Sequence, residues 1–313
     1  MTPRAARVAA VDCGTNSIRL LVADLDPDAG TLGEVDRRME IVRLGEGVDR
    51  TGRLAPAALA RTFAACDSYA DVIRRTGAEH VRFVATSASR DVDNRDTFVA
   101  GVVERFGVEP EVVSGDEEAA LSFTGATREL ATSDLEQPFL VVDIGGGSTE
   151  LVLGRTSVQA ARSVDVGCVR MTERHLHDDP PTAEQVEAAR ADIEKAVAAA
   201  AETVPLDEAG TLVGLAGSVT TVAAMALDLP TYDPKLIHHA RLRADDVHRV
   251  ATTLLSMTHD QRAALPFMHP GRVDVIGAGA LVLSVVMDRV PVDSVVVSEH
   301  DILDGIAWSI LVR

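Results

Sequence analysis

The apolar and polar positions of this chain follow the same order in two places. Residues 8–25 read VAAVDCGTNSIRLLVADL, and residues 139–153 read FLVVDIGGGSTELVL. In each segment an apolar run typical of a buried strand ends at an aspartate, a turn rich in glycine and hydroxyl residues follows, and a second apolar run begins. The repeat predicts two strand hairpins of the same design, one in each half of the chain.

Strand-like and helix-like patterns alternate along both halves. In the first half we predict strands at 34–44, 81–86 and 111–113 and helices at 56–75, 96–106 and 116–130. In the second half we predict strands at 158–164, 211–215 and 294–297 and helices at 183–203, 218–227, 244–256, 271–289 and 302–312. This alternation predicts an α/β fold. The polar residues 131–137 are predicted to connect the two halves at the surface.

Composition and charge narrow the class of protein. The 313 residues are 46% apolar and 25% charged, enough for about two domains with a sizeable core. The net charge of −18 argues against general binding of nucleic acid, because such a surface repels phosphate. Three cysteines without a CxxC pair are typical of a reducing compartment, and no apolar run reaches the roughly 20 residues that span a bilayer. We therefore expect a soluble cytoplasmic protein that binds neither nucleic acid nor membranes.

The two hairpin turns have the composition of phosphate-binding loops. Glycines allow successive backbone N–H groups to point into one concavity, and Ser and Thr hydroxyls add donors. The aspartates at the strand ends, Asp12 and Asp143, can hold Mg²⁺ beside the phosphate oxygens. An ordinary tight hairpin explains either turn alone, but the duplication favours the phosphate site. The candidate phosphate-binding residues in the two turns are Thr15, Asn16, Ser17, Gly145, Gly146, Gly147 and Ser148.

Seven short motifs occur in order through nearly the whole chain. They are DCGTNSIR, ATSASRDVDN, SGDEEA, DIGGGSTE, GCVRMTE, GLAGSVTT and PGRVDVIGAGA. Each is weak alone, but together they resemble the exopolyphosphatase / guanosine-pentaphosphate phosphohydrolase family. The resemblance implies two ribonuclease-H-like domains of the actin, sugar-kinase and Hsp70 type, flanking a cleft. It also implies domains over residues 1–125 plus 300–313 and over 126–299, with the last helix returning to the first domain.

The motif SGDEEA places two glutamates next to each other at a predicted helix start, with Ser114 or Asp116 as the cap. Adjacent helical residues point about 100° apart, so only one of Glu117 and Glu118 can face a cleft. The resemblance assigns the general base that activates the attacking water to Glu118. Attraction to the helix dipole is sufficient to explain Glu117.

The resemblance also assigns a Mg²⁺ site and a phosphate contact. Asp143 and Glu150 would hold the metal, provided that the hairpin pairs Glu150 with Asp143. Asp12 is a further candidate ligand because of its place at the end of the first strand, and not because of the resemblance. A solvated strand end is the alternative for Glu150. Arg90 matches the arginine that contacts phosphate in the family, and a guanidinium is a forked, permanently charged clamp for phosphate oxygens.

Other candidates leave alternatives open. Gly217 and Ser218 precede or begin a predicted helix whose free N–H groups can receive an anion, although a plain turn capped by Ser218 is the alternative. Cys13 is interpreted as a packing residue rather than a nucleophile, and the residues around His175 and His177 as a solvated loop. The remaining ambiguous side chains are Arg19, Arg170, Arg272, His238 and His239.

The resemblance predicts a Mg²⁺-dependent hydrolase that removes terminal orthophosphate from inorganic polyphosphate. Guanosine pentaphosphate is the alternative substrate, since it ends in the same phosphoanhydride. An actin-like ATPase or sugar kinase and a non-catalytic phosphate or alarmone sensor are alternatives of other classes. Members of the family often form homodimers. The chain ends after the final predicted helix, without the C-terminal helical modules of longer members, so short polyphosphate chains are expected to be favoured.

Overall fold

The computed structural model describes residues 6–26, 28–90 and 92–311, with the backbone alone at Thr132. The chain divides into two compact units, Met1–Gly125 with Ile302–Arg313, and Ala126–Asp301. The boundary falls inside a helix, and residues 131–137 belong to the second unit rather than joining two halves. No helix among the described residues combines the length and apolarity needed to cross a membrane.

Strands and helices follow one another through the chain. Up to residue 127 they are β1 (Ala6–Cys13), β2 (Ser17–Asp26), β3 (Thr31–Ile41), α1 (Val48–Thr51), α2 (Pro56–Thr76), β4 (His80–Ala85), α3 (Ser87–Arg90), α4 (Arg95–Phe106), β5 (Glu111–Val112) and α5 (Gly115–Thr127). Beyond it they are β6 (Phe139–Ile144), β7 (Thr149–Gly154), β8 (Val158–Val164), α6 (Cys168–His175), α7 (Ala183–Ala201), β9 (Thr211–Leu215), α8 (Ala216–Ala226), α9 (Pro234–Ile237), β10 (Arg241–Arg243), α10 (Ala244–Ser256), α11 (His259–Ala263), α12 (Ile276–Met287), β11 (Ser294–Val297) and α13 (Ile302–Ser309). Three single 3₁₀ turns cover Leu130–Thr132, Leu206–Glu208 and Pro270–Arg272.

Both units repeat one sheet topology. The first sheet has the order β3-β2-β1-β4-β5, and the second has the order β10-β11-β9-β6-β7-β8. In each, three consecutive strands pair antiparallel, and two later strands join parallel to the first of them. The second sheet adds β10 as an antiparallel edge strand. The α/β class and the two hairpins predicted from the repeated pattern are confirmed.

The first sheet is covered on both faces. Successive strand residues point to opposite faces, so Ala9 and Val11 pack on one side, toward a core that includes α2 and α4. Val8 and Ala10 pack on the other side, with apolar residues of α13. The helix α13 approaches α5 so closely that a Cβ at Gly305 would overlap the carbonyl group of Leu121. The last helix is therefore part of the core of the first unit.

Two predicted helices begin at different residues in the structure. The predicted helix 271–289 is a 3₁₀ turn followed by α12, and the helix predicted to begin at Ser218 begins at Ala216. Ser218 therefore lies inside α8, and the cap position is occupied by Leu215, which makes no side-chain capping bond. The helix α6 was not predicted, because only Cys168 and Met171 of its eight residues are buried, too few to produce a helical period.

Candidate active site

In the first unit, three loops lie at one edge of the sheet, because β1, β4 and β5 are parallel and all end there. The turn after β1 carries Thr15, Asn16 and Ser17, α3 after β4 carries Arg90, and α5 after β5 carries Glu118. The fold thus brings the candidate residues of the first unit to a single edge. Sequence reasoning missed Ser87, whose hydroxyl lies 2.9 Å from that of Thr15.

The first turn is held by the loop that follows β3. Gly45 N–H donates to the Thr15 carbonyl at 2.8 Å, and Val42 N–H donates to the Asn16 carbonyl at 3.0 Å. A trans peptide points its C=O and N–H in opposite directions, so the N–H groups of Asn16 and Ser17 point away from this loop. A Cβ at position 45 would overlap the Thr15 side chain, which explains the glycine there.

Asp12 has a cation as its cross-strand neighbour. Arg19 lies directly opposite Asp12 in the β1–β2 register, and its Nη2 and Nε donate to Asp12 Oδ2 at 2.6 and 2.9 Å. The carboxylate is 5% exposed, so this guanidinium compensates its buried charge within the protein. The geometry explains Asp12 as the partner of Arg19, and its predicted role as a metal ligand stays a prediction.

The two glutamates at the start of α5 have different partners. Glu118 is nearly buried, and its Oε2 accepts from Nη2 of Arg90 at 2.6 Å. Glu117 is directed to Arg82, with Oε1 2.8 Å from Nη2. The Ser114 hydroxyl accepts from the N–H of Glu117 at 3.2 Å, as expected for a cap.

Arg90 also has a backbone contact, since its Nε donates to the carbonyl of Val113 at 3.1 Å. This bond fixes the guanidinium between the end of β4 and the start of α5. One guanidinium therefore orients the Glu118 carboxylate at the same edge as the Thr15 turn.

In the second unit, two loops lie at the corresponding sheet edge, because β6 and β9 are parallel neighbours. The glycine turn Gly145–Ser148 follows β6, and the start of α8, with Gly217 and Ser218, follows β9. The predicted phosphate-binding residues of this half thus lie along one edge.

Two buried carboxylates face each other in the second hairpin. Asp143 and Glu150 are directly opposite in the β6–β7 register, and they are 7% and 1% exposed. Ser163 lies opposite Glu150 on β8 and donates its hydroxyl to Oε1 at 2.7 Å. The condition for the predicted pair, a hairpin that places Glu150 beside Asp143, is met. Where the first hairpin has an arginine opposite its aspartate, the second has a second carboxylate.

The carbonyl groups of the glycine turn face α6. Val169 N–H donates to the Gly146 carbonyl at 2.9 Å, and Arg170 Nε donates to the Gly147 carbonyl at 2.7 Å. The N–H groups of Gly147 and Ser148 belong to the same peptide planes and therefore point away from α6. The unpredicted helix α6 and Arg170 thus orient this turn.

The start of α8 is shaped by close contacts. Arg272 lies against Gly217, where a Cβ would overlap its guanidinium, and its Nη1 donates to the Thr221 hydroxyl at 3.1 Å. Ala216 has a φ of 65°, a conformation that costs a non-glycine residue about 1–2 kcal/mol. Such strain is typical of functional loops. Arg272, ambiguous in the sequence, is placed at this sheet edge.

The cysteines are packing residues. Cys13 is fully buried, and burial, together with the nearby Cys66 and Asp12, raises the pKa of its thiol well above the ordinary value. Burial likewise raises the pKa of Cys168, although a hydrogen bond with Ser218 and the Arg272 charge oppose this. Protonated thiols are poor nucleophiles, in agreement with the interpretation of Cys13 as a packing residue.

Glu129, His238 and His300 form a cluster of residue types that often bind metals, but the hydrogen bonds of His238 place a proton on the nitrogen that a metal would need. Glu129 Oε2 lies 3.3 Å from Nε2 of His238 and 3.3 Å from Nδ1 of His300. The backbone N–H of Glu299 donates to Nδ1 of His238 at 3.1 Å. A neutral imidazole that accepts at Nδ1 carries its proton on Nε2, whereas a metal-bound Nε2 must lack it. The cluster is therefore a hydrogen-bonded network.

Two units with this repeated strand order, each with a hairpin turn and charged residues at one sheet edge, have the duplicated α/β fold that the resemblance to the exopolyphosphatase / guanosine-pentaphosphate phosphohydrolase family implies. The model of the Ppx/GppA phosphatase family matches residues 22–313, and the chain belongs to this family.

Relatives by sequence carry two different names. The chain is 51% identical to Exopolyphosphatase 2 of Mycobacterium tuberculosis (strain ATCC 25618 / H37Rv), over 97% of this chain and 98% of that protein. It is 29% identical to the guanosine-5'-triphosphate,3'-diphosphate pyrophosphatase of Vibrio atlanticus (strain LGP32), over 97% of this chain but 59% of that protein.

Solved structures agree with the fold. An exopolyphosphatase-like protein superposes with a TM-score of 0.95 at 44% identity, covering 98% of both chains. The PPX-GPPA enzyme of Aquifex aeolicus superposes with a TM-score of 0.81 at 29% identity, covering 98% of this chain and all of that one.

Proposed function

We propose that this protein is a Mg²⁺-dependent exopolyphosphatase that hydrolyses the terminal phosphoanhydride of inorganic polyphosphate and releases orthophosphate. The observation that carries the proposal is the pair of buried, directly opposite carboxylates Asp143 and Glu150, beside a glycine turn whose N–H groups point away from its supporting helix. The 51% identity to a protein named Exopolyphosphatase 2 supports it.

Asp143 and Glu150 fit a divalent metal by the chemistry of their donor atoms. Two like charges opposite each other on neighbouring strands are destabilising, and a cation between them removes that repulsion. Hard carboxylate oxygens are the protein ligands that Mg²⁺ prefers. When bound there, Mg²⁺ would neutralise charge on the phosphate oxygens.

Glu118 is proposed as the general base. Its carboxylate accepts the proton of the water that attacks the terminal phosphorus, and the hydrogen bond from Arg90 fixes its direction. Since Arg90 is a permanent cation, it also attracts the phosphoryl oxygens toward the edge that carries Glu118. Little covalent chemistry is required of the protein, because phosphoryl transfer depends mainly on positioning and electrostatics.

The two turns are proposed to bind phosphate oxygens through backbone N–H groups. Both turns have their carbonyls held by other segments, which orients their N–H groups as a set. The buried Oδ1 of Asn16 has no hydrogen-bond partner among the described residues, which is typical of a polar group whose partner is a ligand or water. Gly217 and Ser218 extend the anion site at the start of α8.

Guanosine pentaphosphate is the second candidate substrate. The relative from Vibrio atlanticus is named for a guanosine nucleotide of this kind, and its 29% identity extends over 97% of this chain. The terminal phosphoanhydride is common to both substrates, so the residues of the reacting site serve either.

The test measures phosphate release from polyphosphate, guanosine pentaphosphate and ATP at one free Mg²⁺ concentration, with chelator added in a parallel series. Glu118→Gln protein purified identically controls for contaminating phosphatases. Fastest release from polyphosphate, lost with chelator, is expected. Faster release from guanosine pentaphosphate than from polyphosphate would make the guanosine nucleotide the substrate. Fastest release from ATP would indicate an actin-like ATPase. No phosphate release from any of the three would indicate a non-catalytic sensor.

The cytoplasmic location, expected from the cysteines and the short apolar runs, remains a proposal, and so does the homodimer expected from the resemblance. Light scattering at several protein concentrations would measure the oligomeric state.

A further inference from the structure

Arg82 is a buried cation that joins three elements of the first unit. It lies on β4, is 5% exposed, and extends to Glu111 on β5 with Nη2 2.7 Å from Oε2. The same Nη2 is 2.8 Å from Glu117 Oε1 on α5, and Nη1 donates to the Ser309 hydroxyl on α13 at 2.6 Å. Removing a guanidinium from water is costly, so hydrogen bonds to such partners are what permit its burial.

The contact with Glu117 acts on the first turn of α5, the turn that also carries Glu118. Consecutive side chains of a helix diverge by about 100°, so the direction of one determines the direction of the next when the turn is rigid. The turn is attached on one side by the Arg82–Glu117 pair and at its start by the Ser114 hydroxyl. Glu118 is thereby directed to Arg90.

We propose that Arg82 is a positioning residue for the general base: through Glu117 it holds the first turn of α5 in the rotation that presents Glu118 to the substrate. The proposal rests on the proposed function, because it takes Glu118 as the base. It also gives Glu117 a role beyond the helix dipole, as the point at which α5 is attached to the sheet.

A purely structural role for Arg82 makes a different prediction. The guanidinium binds two glutamates, and only one of them is on α5. If Arg82 merely stabilised the unit, neutralising either glutamate would have a similar effect. If it positions Glu118, neutralising Glu117 lowers turnover, because an amide oxygen accepts from the guanidinium more weakly than a carboxylate does and holds α5 less firmly. Neutralising Glu111 then leaves turnover unchanged.

The experiment compares Glu117→Gln, Arg82→Met, Arg82→Lys and the double variant that combines Arg82→Met with Glu117→Gln. Glu111→Gln is the matched control. Phosphate release from polyphosphate gives kcat and KM, at a temperature where circular dichroism shows every variant folded. We expect Glu117→Gln and Arg82→Met each to lower kcat about tenfold with KM changed less than twofold, since misplaced catalytic groups lose rate more than binding. The double variant should be no slower than Arg82→Met, Arg82→Lys should recover part of the rate, and Glu111→Gln should remain within twofold of wild type.

Three results would overturn the proposal: wild-type kcat in Glu117→Gln, an equal loss in Glu111→Gln, or effects of Arg82→Met and Glu117→Gln that multiply in the double variant. Glu117→Gln keeps the test valid if Arg82→Met fails to fold, because the Glu117 side chain is 42% exposed. Glu118→Gln is measured in parallel. Full activity of that variant would reject the base itself, whereas its inactivity beside a fully active Glu117→Gln would reject only the positioning role.

Discussion

Replacing Glu150 by glutamine should make the metal-free protein more stable while it damages the enzyme. Glu150 and Asp143 are directly opposite on paired strands, which places their Cβ atoms about 5 Å apart. With the Cβ separation taken as that of the charges, two carboxylates repel by about 3 kcal/mol at an effective dielectric constant of about 20. The amide oxygen of glutamine can still accept the bond from Ser163. Since other polar contacts already offset part of the repulsion, we expect a gain of about 1–2 kcal/mol, or roughly 2–8 °C in Tm.

The assay is thermal unfolding in chelator and in saturating Mg²⁺, with Ser163→Ala as a control that retains both carboxylates. Wild type should gain about 2.7 kcal/mol when free Mg²⁺ is one hundred times its Kd, and Glu150→Gln should gain much less. The Glu150→Gln enzyme should need a higher Mg²⁺ concentration for activity than wild type. Asp143→Asn should show the same smaller stabilisation by Mg²⁺ and the same higher Mg²⁺ requirement. A Glu150→Gln variant that is less stable than wild type in chelator and equally stabilised by Mg²⁺ would refute the reasoning.

Four further outcomes are expected. Glu118→Gln should lower kcat by about 10²–10⁴ with polyphosphate affinity retained, and by more than Glu117→Gln does; single-turnover rates and equilibrium binding measure both, and the reverse order would exchange the two roles. Gly217→Ala should displace the Arg272 guanidinium and destabilise the protein by about 1–3 kcal/mol in urea unfolding, whereas wild-type stability would show that the contact is dispensable. Because the net charge is −18, kcat/KM per chain end should level off or fall as polyphosphate lengthens from a few to several hundred phosphates, and a steady rise would contradict this. Burial, with His239 and His300, lowers the pKa of His238, so the unfolded chain binds more protons below about pH 6.5 and stability should decline as pH falls through that range; His238→Gln should flatten this slope, and an unchanged slope would remove His238 as its source.

Elements with a clear hydrophobic pattern were predictable from the sequence. The helix predicted at 56–75 is α2, Pro56–Thr76, and the strand predicted at 294–297 is β11, Ser294–Val297. Short elements that depend on tertiary contacts were not. The helix α6 buries two side chains and exists because its N–H groups meet the carbonyls of the glycine turn, a contact between distant segments.

The sequence predicted which residues are candidates for the site better than it predicted which of them contact each other. Asp12 and Arg19 are seven residues apart, as are Asp143 and Glu150. If the two hairpins have the same register, a hairpin that pairs Asp143 with Glu150 also pairs Asp12 with Arg19. The ion pair of the first hairpin could therefore have been predicted from that spacing. The contact between Arg82 and Glu117 has no such signal, because 35 residues separate them in the chain and only the position of α5 beside β4 brings them together.

The position of α13 has a consequence for how the protein is made. The strands that form one apolar face of the first sheet have all been synthesised once β5 ends at Val112, but part of the cover of that face begins only at Ile302. At about 5–20 residues per second, synthesis leaves this face without α13 for about 10 to 40 s, while the whole second unit is being translated. The second unit is contiguous in sequence and can fold during this interval. We therefore expect the amino-terminal half of the chain to be the last part to reach its native state, and to depend on chaperones during translation more than the half that follows it.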